Sequence, residues 1–321
     1  MSSGRKEALL PKGVFITGTD TGVGKTVVSA LILRALRERG IRAGAMKPIE
    51  TGCGKANSES RIQDLKMETG GLIPADGIAL REAAGMDDPL DLVAPVRFER
   101  PLAPMTAARL EKRPVDIKKI MNACNRLSEK YDLLVVEGAG GLLAPIKNSN
   151  KSSVTSNSKD SNELQVTSNE LKTNDKDLSP SSDPLLVTRH SSLVTGRVAH
   201  HASRYFMSDL VRELGLPVIV VARPSLGTIN HTLLTIEHAL REEIEVLGIV
   251  INYALPPEGG LAEKTNPEVL RELSPVPLIG IVPYMKGASQ KHNERKISSA
   301  ARNIANHILK CVLPEMQGWE S

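Results

Sequence analysis

Residues 13–26 read Gly-Val-Phe-Ile-Thr-Gly-Thr-Asp-Thr-Gly-Val-Gly-Lys-Thr, an apolar strand that turns through glycines into a helix opening on Gly24-Lys25-Thr26. A strand, a glycine-bearing turn and a helix start in that order commit the chain to an α/β arrangement with the turn at a sheet edge. Backbone N–H groups of such a turn point at an anion, and the helix N-terminus adds positive potential. Lys25 can reach the β- and γ-phosphates of a nucleoside triphosphate, and the Thr26 hydroxyl suits Mg²⁺. Five residues separate Gly18 from Gly24, so Thr19 holds the place of the motif's usual first glycine. Val28, Leu31, Ile32, Ala35 and Leu36 then keep the spacing of a helix packed on a sheet, which Gly40 closes. Thr19, Asp20, Thr21, Gly22, Val23, Gly24, Lys25 and Thr26 are therefore the expected nucleotide contacts.

Apolar runs of strand length recur at Val14–Thr17, Ala43–Met46, Leu92–Val96, Leu133–Val136, Val218–Val221, Leu247–Ile251 and Leu278–Val282, with helical patterns between several. Continuous apolar runs alternating with amphipathic helices predict a mostly parallel sheet of about seven strands, covered on both faces as a three-layer P-loop NTPase-like α/β sandwich. Strand C-terminal ends then converge on one functional edge. With 321 residues, 40% of them hydrophobic, the chain can bury such a core as one large domain. The exception is 147–202, rich in Ser, Asn, Thr, Lys and Asp with imperfect echoes such as Val154-Thr155-Ser156-Asn157 and Val166-Thr167-Ser168-Asn169. Too few apolar groups occur there to offset ordering entropy, so it reads as a low-complexity, disordered insertion between domain parts 1–146 and 203–321. His190, His200 and His201 within it read as solvated side chains rather than metal ligands. Deleting 149–201 is expected to leave turnover and Tm nearly unchanged; a substantial loss of either would mean that the tract packs or regulates.

A net charge of +4 with dispersed basic residues, and 2% aromatics, argue against a nucleic-acid partner. No run approaches the ~18 apolar residues of a membrane span, and Met1 to Leu10 lacks a signal-peptide core, so a cytoplasmic location without membrane association is expected. Cys53, Cys124 and Cys311 show no paired spacing. Cys124 falls on the apolar face Ile117, Ile120, Met121, Cys124, Leu127 of a helix, and no histidine stands near Cys53 in sequence to activate it.

The residues just after each strand are the ones to inspect. Met46-Lys47-Pro48-Ile49-Glu50-Thr51-Gly52 brings a lysine to the ligand edge, a second cation for a transferring phosphate, with the Thr51 hydroxyl beside it. Glu137 ends the fourth apolar run in the manner of a Walker-B carboxylate, and Gly138, Ala139 and Gly140 leave room for substrate. Asp64 is a candidate third oxygen ligand. Gly227, Thr228, Ile229 and Asn230 form a second helix start suited to an anion, the helix that follows is expected to turn Leu233, Ile236 and Leu240 inward, and Asn252 ends the sixth run with an amide able to pair with adenine.

In order as well as content, Thr17–Thr26, Lys47–Gly52, Glu137–Gly141 and Leu226–His231 closely resemble the dethiobiotin synthetases, which act in the penultimate step of biotin synthesis. The resemblance covers the chain apart from its first dozen residues and 147–202. It implies ATP- and Mg²⁺-dependent closure of a ureido ring on 7,8-diaminononanoate with CO₂, giving dethiobiotin, ADP and phosphate. In that family a carbamate formed on one amine attacks the γ-phosphate, and the second amine closes the ring by displacing phosphate. Carried onto this chain, Lys25, Lys47 and Thr21 would be catalytic, and Thr26, Asp64 and Glu137 would hold Mg²⁺. Asn252 and Pro283 would contact the base, and Thr51 with Gly138–Gly140 the substrate. A homodimer is implied, the Gly227–Asn230 helix start of the second subunit holding the substrate carboxylate. Glu263-Lys264-Thr265 shows no tyrosine where a substrate contact is expected. Two rivals share parts of the pattern. A cobyrinate-type amidotransferase needs a glutaminase domain, for which little chain remains after Pro283; a ParA- or MinD-like switch ATPase carries a signature lysine where this chain has Thr19 and Asp20.

Overall fold

The structure, a computed structural model, describes residues 11–55, 71–148, 204–285 and 289–316. All of them belong to one unit, Met1–Asn148 with Arg204–Ser321. Strand β1 (Gly13–Gly18) leads through the glycine turn into helix α1 (Lys25–Glu38), and β2 (Ala43–Met46) is followed by the short strands β3 (Ile49–Thr51) and β4 (Gly54–Lys55). Next come β5 (Leu72–Ile73), α2 (Ala75–Ala84), α3 (Leu90–Val93), β6 (Val96–Phe98), α4 (Pro104–Leu110) and α5 (Ile117–Ser128). After β7 (Leu133–Glu137) and β8 (Pro145–Asn148), the chain resumes with β9 (Arg204–Phe206), α6 (Met207–Leu214), β10 (Val218–Ala222) and α7 (Thr228–Arg241). The last elements are β11 (Val246–Asn252), α8 (Leu261–Leu273), β12 (Leu278–Val282) and α9 (Ser289–Val312).

Six strands form the central sheet in the order β12-β11-β10-β1-β7-β2, every neighbouring pair parallel. Strands β1, β2, β7, β10 and β11 are buried at every position, because helices cover both faces and no alternation with water is required. Helix α1 lays Val28, Ile32, Leu33 and Leu36 against this sheet, each fully buried. Removing side chains of that size from water contributes on the order of 1.5–3 kcal/mol apiece. The helix stops at Gly40, whose N–H donates to the Arg37 carbonyl. On α5 the buried residues are Ile120, Ala123, Cys124 and Leu127, so three of the five predicted positions are buried while Ile117 and Met121 are half-buried, and Asp116 caps the helix by accepting from the Lys119 N–H at 3.0 Å.

Three expectations are corrected. Leu92–Val96 is not a central strand: Pro89 starts the short helix α3, and Pro95 forces Ala94 out of helical geometry (φ −131°) before β6. β6 pairs in parallel with β3 in a separate two-stranded sheet, which leaves six strands in the central one. On α7 the inner stripe is Thr228, Thr232, Ile236 and Ala239, while Leu240 is exposed, because the helix faces the sheet along its small residues. Lys147 and Asn148, placed by sequence inside the insertion, belong to β8, which pairs antiparallel with β9. The remainder of that tract, 149–202, lies outside the described residues. Among the described residues no helix is long and apolar enough to cross a membrane.

Candidate active site

The C-terminal ends of β1, β2 and β7 stand side by side, so the segments that leave them share one edge of the sheet. There a cavity of about 320 Å³ is lined by Thr21, Gly22, Gly24, Lys25, Thr26, Lys47, Thr51, Glu137 and Gly138–Gly140, all predicted from sequence, and by Asp76, which was not.

The glycine turn is held from three sides. Asp20 accepts from the Thr21 N–H at 2.7 Å and pairs with Arg223, and these contacts, the Thr21 bond first, keep its carboxyl below the usual range. Thr19 donates its N–H to the Val221 carbonyl at 3.0 Å, prolonging the pairing of β1 with β10, and does not line the cavity. Val23 is buried, and its carbonyl accepts one N–H of the Asn252 amide at 2.9 Å. Gly24 has φ +83°, and a Cβ there would stand 2.1 Å from Asn252 Nδ2, so both backbone conformation and space require glycine. Asn252 thus braces the turn from below, with one amide N–H and its oxygen left for other partners.

Four side chains converge at the cavity floor. Lys47 Nζ lies 2.5 Å from Glu137 Oε1 and 2.7 Å from Asp76 Oδ2, and Thr26 Oγ1 donates to the same Glu137 oxygen at 2.8 Å. Lys47 and Glu137 are only 5% and 1% exposed. Burial alone would discharge such a lysine, but Glu137 and then Asp76 outweigh it and hold the ammonium above its ordinary pKa. Lys25 has no carboxylate so close; its Nζ donates to the Asp20 carbonyl at 3.3 Å, and burial followed by repulsion from Lys47 pushes its pKa down to about 8. Glu137 Oε2 is buried and has no hydrogen-bond partner, an orphaned anionic oxygen that a cation would satisfy. Thr26, Asp76 and Glu137 supply hard oxygen donors of the kind Mg²⁺ takes.

Sequence reasoning missed Asp76 and the buried Glu50, whose carboxylate accepts from the Asp76 and Gly77 N–H groups. Asp76 is the second residue of α2, a helix announced only by Leu72-Ile73-Pro74, and 29 positions from Lys47. An acid directly after Pro74-Ala75 was the available signal, since carboxylates favour a first helical turn. Asp64 lies outside the described residues. Cys53 is buried, its Sγ 3.6 Å from the Glu50 carbonyl, and burial pushes its thiol up to about 12, so it is no nucleophile near neutral pH.

Two predicted groups lie elsewhere. Pro283, with Tyr253, Pro256, Pro257 and Tyr284, lines a second cavity of about 740 Å³ between the end of β12 and α9, and Tyr253 directly follows Asn252. The α7 start Gly227–Asn230 lines neither cavity. Thr228 Oγ1 there is buried without a partner, Leu226 is 88% exposed, and Asn266 Nδ2 braces the preceding turn by donating to the Pro224 carbonyl at 2.7 Å.

A family model described as "AAA domain" matches residues 12–173 and 152–292. A protein of Thermodesulfovibrio yellowstonii named ATP-dependent dethiobiotin synthetase BioD is 41% identical over 85% of this chain and 89% of its own. Proteins of the same name from Methanocaldococcus jannaschii and Bacillus licheniformis are 33% and 32% identical, over 84% and 87% of this chain and 92% and 88% of theirs. A solved MinD cell division protein of Aquifex aeolicus aligns over 93% of this chain and 97% of its own at 12% identity and a TM-score of 0.41, too distant to bear on activity. On the strength of these relatives, and of a glycine turn, a strand-end lysine and a strand-end glutamate gathered at one cavity, the chain belongs to the ATP-dependent dethiobiotin synthetase family.

Proposed function

We propose that this chain converts 7,8-diaminononanoate, CO₂ and ATP into dethiobiotin, ADP and phosphate. The observation that carries the reading is Lys47: a buried ammonium, charged by Glu137 and Asp76, on the wall of the cavity that the Gly24-Lys25-Thr26 helix start also lines. A hydrolytic switch needs only water at the γ-phosphate, whereas a carbamate brings its own negative charge and calls for a further cation. Lys25 and the turn amides would bind the β- and γ-phosphates, and Lys47 would draw the carbamate oxygen toward phosphorus. That oxygen forms the new P–O bond as the bond to ADP breaks. The second amine then attacks the carbamoyl carbon, the C–O bond to phosphate breaks, and the amine loses its proton. Thr21, Thr51 and Gly138–Gly140 line the side on which the diamine would lie. No side chain forms a covalent bond to substrate.

Thr26, Asp76 and Glu137 would hold Mg²⁺, Asp76 replacing Asp64 as the third oxygen donor. When bound, the ion neutralises phosphate charge. Asn252, bonded to the Val23 carbonyl of the phosphate turn, is followed directly by Tyr253 of the cavity containing Pro283 and Tyr284, which supports a purine there. The α7 start lines neither cavity and has Leu226 exposed beside it, which supports a homodimer in which Gly227, Thr228, Ile229 and Asn230 hold the substrate carboxylate for the partner subunit.

The test is direct: purified protein with ATP, Mg²⁺, bicarbonate and 7,8-diaminononanoate forms dethiobiotin, detected by mass spectrometry. Folded protein that hydrolyses ATP without the diamine and yields none would belong to the switch class. Lys25 supplies a further expected result. With a free-state pKa of about 8, it is partly neutral near that pH, and the triphosphate favours its charged form, so ATP binding takes up a proton. Calorimetry at pH 8 in buffers of different ionisation enthalpy measures this uptake, and Lys25→Met abolishes it.

A further inference from the structure

Glu50 is 4% exposed and lies behind the cavity rather than on its wall. Its two oxygens accept from two successive backbone N–H groups, Oε1 from Asp76 and Oε2 from Gly77, each at 2.9 Å. These amides belong to the first turn of α2, where no intrahelical acceptor exists and the N-cap residue Pro74 gives no side-chain bond. The cap therefore comes from another element, and a carboxylate there also suits the positive end of the helix. Gly77 makes the approach possible: a Cβ on it would stand 2.9 Å from Ala94 Cβ and 3.4 Å from Glu50 Oε2. The backbone of Glu50 is fixed in its turn by the parallel register of β3 with β6, where Glu50 faces Arg97. Arg97 is itself buried and pinned by Asp91 at 2.8 Å and the Ala94 carbonyl at 2.8 Å. The result is a rigid line from β6 through Glu50 to the start of α2, ending at a side chain, Asp76, that is 40% exposed and has little packing of its own to hold it.

We propose that Glu50 is a positioning residue: its grip on the Asp76 and Gly77 amides aims the Asp76 carboxylate at Lys47 and at the Thr26–Glu137 pair, and thereby sets how firmly the site holds a divalent cation. The inference rests on the assignment of Asp76 as a metal ligand made above. Glu50→Gln tests it, because an amide keeps the shape but presents N–H groups to one of the two backbone donors. The expected loss is about tenfold in kcat, with KM for the diamine within twofold. Binding of Mn²⁺ in the presence of a non-hydrolysable ATP analogue, read by electron paramagnetic resonance, weakens by about tenfold as well. On an Asp76→Asn background the same change costs less than twofold in either measurement, since the group it positions is gone. Equal losses on both backgrounds would reduce Glu50 to a stabilising role and overturn the proposal. If Glu50→Gln does not fold, Glu50→Asp, which keeps the charge but withdraws the oxygens by one methylene, serves in the same cycle. Hydrogen exchange on the full wild-type chain gives an arm free of variants: the Asp76 and Gly77 amides are protected, and exchange at the rate of an unstructured peptide would contradict the grip. A wild-type protein that makes no dethiobiotin would count against the proposed reaction alone, because the Mn²⁺ and exchange readouts need no turnover.

Discussion

Lys47→Ala lowers kcat by roughly 10²–10³-fold while ATP affinity changes by less than about threefold. The asymmetry follows from where the ammonium sits. Lys25 is held in the resting state by a carbonyl, that of Asp20 at 3.3 Å, and can turn to the triphosphate, whereas Lys47 is engaged by two carboxylates, Glu137 at 2.5 Å and Asp76 at 2.7 Å. Its charge is therefore available to a group that gains negative character during reaction more than to one already bound. The substitution also removes a partner from a carboxylate that is 1% exposed, and breaking a buried pair from one side costs on the order of 3–5 kcal/mol. Steady-state rates should accordingly be normalised to folded protein by a thermal melt, with Lys47→Met as the variant that keeps the buried stem. Unchanged turnover in folded Lys47→Ala would remove this residue from the reaction.

Glu137→Gln carries the second large effect. The neutral amide keeps the volume between Thr26 and Lys47 but gives up the orphaned anionic oxygen and the main charge that holds Lys47 ionised. Two consequences are expected together. The Mg²⁺ concentration for half-maximal rate rises by at least about tenfold, and the residual rate at saturating metal falls by about 10²-fold. The pH profile moves too, with its sign set by burial: once Glu137 is neutral, desolvation dominates and the Lys47 pKa drops, so activity is lost as pH rises through a lower value than in the wild type. A metal titration and pH profile matching those of the wild type would show that Glu137 holds neither the cation nor Lys47.

Most of the sheet was legible because a parallel strand covered on both faces has no polar side to disguise it. Val14–Thr17, Leu133–Val136 and Val218–Val221 each fall within an observed strand. The run Leu92–Val96 failed for the same reason, since a short buried helix between two prolines is equally apolar, and only Pro89 and Pro95 marked the difference. Leu240 failed because α7 turns Thr228 and Thr232 inward, and small polar residues are silent in a count of apolar positions. The residues of the candidate site that strand ends deliver, Lys25, Thr26, Lys47 and Glu137, could be read one by one from local order. Asp76 and Glu50 could not. Their placement depends on how α2 seats against β2 and β3, a relation between residues 26 or more positions apart that no local pattern encodes.

The central claim is that a carbamate, rather than water, meets the γ-phosphate. The most direct measurement uses CO₂ labelled with ¹⁸O, added to enzyme, ATP, Mg²⁺ and 7,8-diaminononanoate in ordinary water and quenched before the label exchanges with solvent. Attack by the carbamate oxygen, followed by ring closure at its carbon, places one ¹⁸O in each released phosphate and leaves the other in the ureido carbonyl of dethiobiotin. Unlabelled phosphate released in step with the product would contradict the account, because the oxygen would then have come from water.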